Sequence, residues 1–288
     1  MLSVDRYLSL RICSLPAMLP ATPFLADMSL RPSDSARNAC RSLGFRFGDR
    51  GTHTSRTMML DELRATLEAT TENARRADYV TAIVEDNCLG KPTAATRVLS
   101  AQRLSELYAL DPDVPLFRIL RALWSLEGRG QPLLALLVAL ARDPLLAATA
   151  PAVVSLRSGD EFARGPMRQA LREAVGERLS DETLDKVARN AASSWSQAGL
   201  LTGRTFKFRQ QVQPTFTAVA LALLLAYTSG SRSESLLDSD WLKAIDCQPA
   251  QARALAIEAK RHGLIEFRTV GEAIDIEFDR LDPWRVKR

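Results

Sequence analysis

The sequence predicts a mainly α fold: a helical bundle followed by two winged-helix-like units with short β-hairpins. Three observations carry this reading. Before residue 200, apolar residues recur at helical spacing with no strand-like alternation. Twice thereafter, at 205–212 and 264–278, a run of helices gives way to a strand–turn–strand pattern. Glycines and prolines fall at the joints, among them Gly90, Pro112, Gly128, Pro144, Gly199, Pro214 and Gly263, where they stop or start helices.

Residues 1–53 hold prolines at 16, 20, 23 and 32 and no sustained period. They are expected to lie outside the fold, either as an unstructured extension or as upstream sequence ahead of a start at Met28, Met58 or Met59. The bundle is expected over 54–155. Its helices run over 60–69, 77–89 (stopped by Gly90), 93–110 (capped by Thr93), 116–126 and 133–141, with 150–159 as a connector. The fifth of these is continuously apolar and therefore central.

The first winged-helix-like unit covers 156–214. A helix over 162–179 precedes a second that Ser180 caps, with Asp181 and Glu182 favourably placed in its first turn. Leu184, Val187, Ala188, Ala191 and Trp195 form a single apolar stripe on that helix. A hairpin follows, in which Phe206 and Phe208 alternate with Thr205, Lys207 and Arg209. Trp195 is expected to pack beneath one of those phenylalanines, which turns Lys207 and Arg209 outward. The second unit, 215–288, repeats the plan with helices over 215–227, 236–244 and 249–262 and a hairpin turning near Gly271.

Composition narrows the function. The 288 residues are 46% hydrophobic and 25% charged, which excludes a disordered chain. The longest apolar run, 216–227 apart from Thr217, falls short of the roughly 20 residues a membrane span needs. Cys13, Cys40, Cys88 and Cys247 are scattered, and His53 and His262 are the only histidines, so no zinc finger, disulfide scaffold or other metal or cofactor site is expected. Unpaired thiols suit the reducing cytoplasm. GxSxG, GxGxxG and HExxH are absent, as is any His–Cys or His–Ser arrangement at a recognisable spacing, so no enzyme is expected. The net charge of +4 resides in residues 1–57, which hold eight arginines and four aspartates. The remainder is neutral, so any case for nucleic acid rests on local segregation of charge.

Such segregation occurs. Opposite the apolar stripe of the capped helix lie Lys186, Arg189, Asn190, Ser193 and Gln197, residue types that reach phosphates and base edges. No acid occurs between 186 and 213, where Arg204, Lys207 and Arg209 complete a basic wing. The second hairpin sets Glu266, Glu272, Asp275, Glu277 and Asp279 against Arg268 alone, so it reads as a packing or partner-binding module. A third candidate, 87–103, carries Lys91, Arg97 and Arg103 without an intervening acid. It reads either as a junction within the bundle or as a helix N-terminus that touches phosphate. It lacks the P-loop pattern.

The segment LGKPTAATRVLSAQRLSELYALDP, with SRTMMLDELRATL ahead of it and the winged-helix-like part behind, resembles the BrxA-like family, small helical accessory proteins of BREX bacteriophage-exclusion systems. The resemblance spans roughly residues 54–230. It implies a cytoplasmic, non-enzymatic component that binds double-stranded DNA and works with other phage-defence proteins, including larger methyltransferase and ATPase partners. The leader and the acidic last unit depart from the family pattern. The alternative is a protein–protein adaptor in the same kind of complex, without direct DNA contact.

Overall fold

The computed structural model describes residues 28–270 and 273–286. In chain order come α1 (Arg37–Leu43), α2 (Leu60–Glu68), α3 (Arg76–Val84), α4 (Ala94–Tyr108), α5 (Pro115–Trp124) and α6 (Gln131–Arg142). Two short helices, α7 (Pro144–Ala148) and α8 (Ala150–Val154), lead into the first winged-helix-like unit. That unit consists of α9 (Arg164–Val175), α10 (Asp181–Gln197), β1 (Leu201–Thr202) and β2 (Phe208–Arg209). The second has α11 (Phe216–Ser229), α12 (Asp240–Lys243), α13 (Pro249–Arg261), β3 (Glu266–Val270) and β4 (Ala273–Glu277), and α14 (Pro283–Val286) follows it. Each hairpin is a separate antiparallel pair.

Two helices without a polar face organise the packing. Residues 133–142 of α6 and 217–226 of α11 are all buried. A helix that is apolar all round must be covered all round. The pair pack on each other, with α4, α5 and α10 against α6 and α1, α12 and α13 against α11. One hydrophobic core therefore runs through bundle, first unit and second unit.

The first unit has winged-helix order. Residues 159–162 run beside β2: Glu161 bridges Phe208, Arg209 N–H donates to the Asp160 carbonyl at 2.9 Å, and Phe162 N–H donates to the Lys207 carbonyl at 2.7 Å. Glu161 is thus a strand-like residue ahead of the expected position 200, and the helix expected over 162–179 is α9 plus a 3-10 turn at Gly176–Arg178. The expected connector 150–159 contains α8, which starts with Pro151 in its first turn. In the second hairpin Phe267 pairs with Ile276, and Phe267, Ile274 and Ile276 all face the core, as alternation requires. The expected turn near Gly271 lies outside the described residues.

The leader is the main correction to the sequence reading. Residues 1–27 lie outside the described residues, but 28–53 are part of the fold. Met28, Leu30, Cys40 and Phe45 are buried. Phe45 meets the Trp241 ring edge-on at 5.6 Å, and Ser33 N–H donates to the Ser229 carbonyl at 3.2 Å. Arg142 donates to the Gly44 and Ser105 carbonyls, and burial followed by the neighbouring Arg46 charge lowers its pKa to about 10. The segment escaped pattern reading because it contributes single apolar residues between turns, with only seven helical residues in α1.

Phe45→Ala is therefore expected to destabilise the protein by about 3–5 kcal/mol in chemical denaturation, the usual cost of emptying a buried aromatic site. A leader outside the fold would leave stability unchanged.

Candidate nucleic-acid interface

α10 is the centre of the candidate interface. Ser180 Oγ accepts the Thr183 N–H at 3.3 Å and starts the helix, and Leu184, Val187, Ala188, Ala191 and Trp195 turn inward. Trp195 is fully buried and its Nε1–H donates to Thr149 Oγ1 at 2.9 Å. The expectation of a phenylalanine over it fails, because Phe206 and Phe208 are 65% and 40% exposed.

The hairpin register explains the reversal. Leu201 pairs with Arg209 and Thr202 with Phe208. Leu201 is buried, so Arg209 shares its inner face, while Phe208 shares the solvent face of Thr202. Period two fixes alternation but not which parity is inside. Arg209 can lie inside because every bond it needs is present. Its Nε donates to the Val153 carbonyl at 3.1 Å, its Nη1 to the Leu200 and Gln210 carbonyls, and its Nη2 to the Asp246 carboxylate. Asp246 also accepts the Val212 N–H at 2.9 Å. Arg209 thus ties the first wing to the second unit and is not a phosphate ligand.

Lys207 is half-buried. Its ammonium donates to Ser196 Oγ at 2.8 Å and to the Gly203 carbonyl at 3.2 Å, and burial lowers its pKa. It braces the wing against α10.

Asn190 and Gln197 are also committed internally. Asn190 Nδ2 donates to the His53 carbonyl at 2.8 Å. Gln197 Oε1 accepts the Leu60 N–H at 3.0 Å while its Nε2 donates to Thr57 Oγ1 at 3.0 Å. The arm over residues 51–60 therefore covers the edge of α10 that these side chains share with Ser194. At roughly 100° per residue, Lys186, Arg189 and Ser193 lie along the adjacent edge. Lys186 and Arg189 are exposed and Ser193 half-buried; Arg204 is exposed at the wing tip. Among the described residues, none of the three cations has an ion pair. Asp185 and Asp181 are held instead by Arg168 at 2.9 Å and Arg172 at 2.5 Å.

The arm is anchored by a cluster that the sequence did not disclose. His53 Nδ1 lies 2.7 Å from Asp143 Oδ2 and its Nε2 lies 2.8 Å from Ser194 Oγ. A carboxylate can only accept, so Nδ1 donates to Asp143. Ser194 Oγ accepts the Met58 N–H at 2.8 Å and donates its proton to the Asn190 carbonyl, 2.9 Å away. Asp143 Oδ2 also accepts the His53 N–H at 3.1 Å, and Oδ1 caps α7 by accepting the Leu145 and Leu146 N–H groups at 2.9 and 3.2 Å. Burial raises the Asp143 pKa, but the His53 charge and hydrogen bond together with the backbone donors outweigh it and hold the carboxyl below its ordinary value. Gly51 makes the approach possible: a Cβ there would sit 2.0 Å from Asp143 Oδ1.

This is the connectivity of a Ser–His–Asp hydrolase triad. Here all three side chains are buried, and together they join the arm, the α6–α7 junction and α10. In this arrangement the cluster acts as a clamp. Its members come from three distant segments, so no sequence spacing reveals it.

The third candidate segment stays apart from this surface. Lys91 pairs with Glu62 at 2.9 Å, Arg103 binds both Glu106 oxygens at 2.9 and 2.7 Å, and Arg97 reaches the Glu85 carbonyl at 3.5 Å. These contacts fit the bundle-junction reading. Among the described residues no group of three or more His, Cys, Asp or Glu is placed to hold a metal ion, and no helix is long and apolar enough to cross a membrane.

In comparisons with known proteins, no family model and no curated protein matches the chain.

Two substitutions and one surface control test this geometry. Asp143→Asn is expected to cost about 3–5 kcal/mol at neutral pH, because it breaks a buried charged pair. A lowered folded-state pKa supplies stability above the ordinary carboxylate range that is lost as pH falls through the folded value. The gap between wild type and Asp143→Asn should accordingly narrow in acid. Arg209→Ala should likewise lose about 3–5 kcal/mol, since it leaves Asp246 unpaired, whereas Arg204→Ala should stay within about 0.5 kcal/mol. Urea melts read all three.

Proposed function

We propose that this chain is a non-enzymatic accessory protein of a BREX-type phage-defence system that binds double-stranded DNA through the first winged-helix-like unit. The observation that supports DNA binding is the exposed edge of α10 with the wing tip: Lys186, Arg189 and Arg204 have no ion pair among the described residues, Asp185 and Asp181 are held by Arg168 and Arg172, and Glu182 is the exposed acid that stays one turn ahead of Lys186. Cations in that condition suit phosphate oxygens, with release of condensed counterions as the driving force. The defence context, a cytoplasmic setting and protein partners rest on the resemblance of residues 54–230 to BrxA-like proteins.

The adaptor reading has its own support in the second hairpin. Asp275, Glu277 and Asp279 are exposed there, which disfavours DNA and suits a basic protein surface. The two readings are compatible in one molecule, with DNA on the first unit and protein on the second.

With Asn190 and Gln197 engaged by the arm, base readout has few remaining side chains on α10. Binding is therefore expected to be mainly sequence-independent. Lys186→Glu combined with Arg189→Glu should weaken binding to duplexes of any sequence, and the slope of log affinity against log salt should fall by about 0.9 for each phosphate no longer neutralised. Reversing Glu277 to Lys should leave affinity intact or raise it. An unchanged gel shift for a folded Lys186/Arg189 double variant would favour the adaptor alone.

A further inference from the structure

The first wing presents a bare aromatic ring at its tip, and its position bears on how DNA would be held. Phe206 is 65% exposed within the loop between β1 and β2, two residues from the exposed Arg204. The loop is braced. Lys207 Nζ bonds both Ser196 of α10 and the Gly203 carbonyl, at 2.8 and 3.2 Å. Gly203 has φ +103°, and a Cβ there would meet the Phe206 carbonyl oxygen at 2.0 Å, so the tip is drawn in tightly. A ring held outward on a fixed loop beside a cation is preorganised to stack.

Phe208 is a weaker candidate. Its paired neighbour across the sheet is the exposed Glu161, whose carboxylate would repel a phosphate backbone at that point. Charge thus separates the two phenylalanines: Phe208 lies beside Glu161, while Phe206 lies two residues from the exposed Arg204.

We infer that Phe206 is a stacking wedge: it enters between adjacent base pairs of bound duplex DNA from the minor groove and kinks the duplex, while Lys186, Arg189 and Arg204 hold the flanking phosphates. Apolar side chains do this wherever the larger protein surface that a bent duplex reaches offsets the cost of unstacking the bases. Pyrimidine–purine steps unstack most readily, so a TA step is the favoured entry point. The inference rests on the DNA-binding reading above and goes beyond it in naming the groove, the residue and the deformation.

The test uses the full chain and a short duplex with one central TA step and a fluorescent donor and acceptor at its ends. Wild type should bind and shorten the end-to-end distance. Phe206→Ala, a surface change that leaves folding intact, should still bind but lose the bend and the TA preference, with affinity lower by on the order of tenfold. Phe206→Trp should restore bending, and Phe208→Ala should bend like wild type. If Phe206→Ala bends the duplex as wild type does, the wedge is wrong and DNA binding stands. If wild type binds no duplex at low salt, the DNA reading fails and the wedge fails with it.

Discussion

The buried chain Asp143–His53–Ser194 decides which surfaces of this protein are available. Asp143 ends α6 and caps α7, His53 belongs to the arm, and Ser194 lies in the last turn of α10. Three segments far apart in sequence therefore meet at three side chains. Every polar atom of the cluster has a partner, which is the condition for keeping such groups out of water. Removing one member leaves the others unsatisfied, so the arm, the bundle and the first unit hold together or loosen together.

Two consequences follow for the first unit. The arm crosses one edge of α10 and occupies Asn190 and Gln197, which leaves the Lys186–Arg189 edge as the accessible one. The wing turns Arg209 inward to Asp246 and places Phe206 and Phe208 outside. A surface expected to carry paired basic residues on the wing carries instead a cation and an aromatic ring at its tip. Electrostatic attraction there is spread over helix and tip rather than along the strand.

Much of the fold was legible because it depends on periodicity and punctuation. The central helix α6, the Ser180 cap, the apolar stripe of α10 and the second hairpin all follow from local pattern. Three features were not legible, each for a physical reason. Residues 28–53 pack through isolated contacts such as Phe45 on Trp241, which leave no period. The parity of the first wing depends on Asp246, 37 residues away from Arg209, which makes a buried guanidinium tolerable. The His53 cluster is assembled wholly by tertiary structure. Of the candidate site residues, Lys186, Arg189 and Arg204 lie exposed on one unit with the half-buried Ser193. Sequence separates cations from acids along the chain, but it does not show which cations are already neutralised in space.

The claim at the centre of this account is that the Lys186–Arg189 edge of α10 and the wing tip at 203–207 face DNA. Photo-cross-linking tests it most directly. The full chain is bound to a duplex carrying photoreactive bases, irradiated and digested, and the cross-linked peptides are mapped by mass spectrometry. Cross-links are expected within 186–207, with Phe206 among the modified residues, and none in the acidic hairpin. Cross-links confined to α13 and the second hairpin, or to the α3–α4 junction around Lys91, would contradict it.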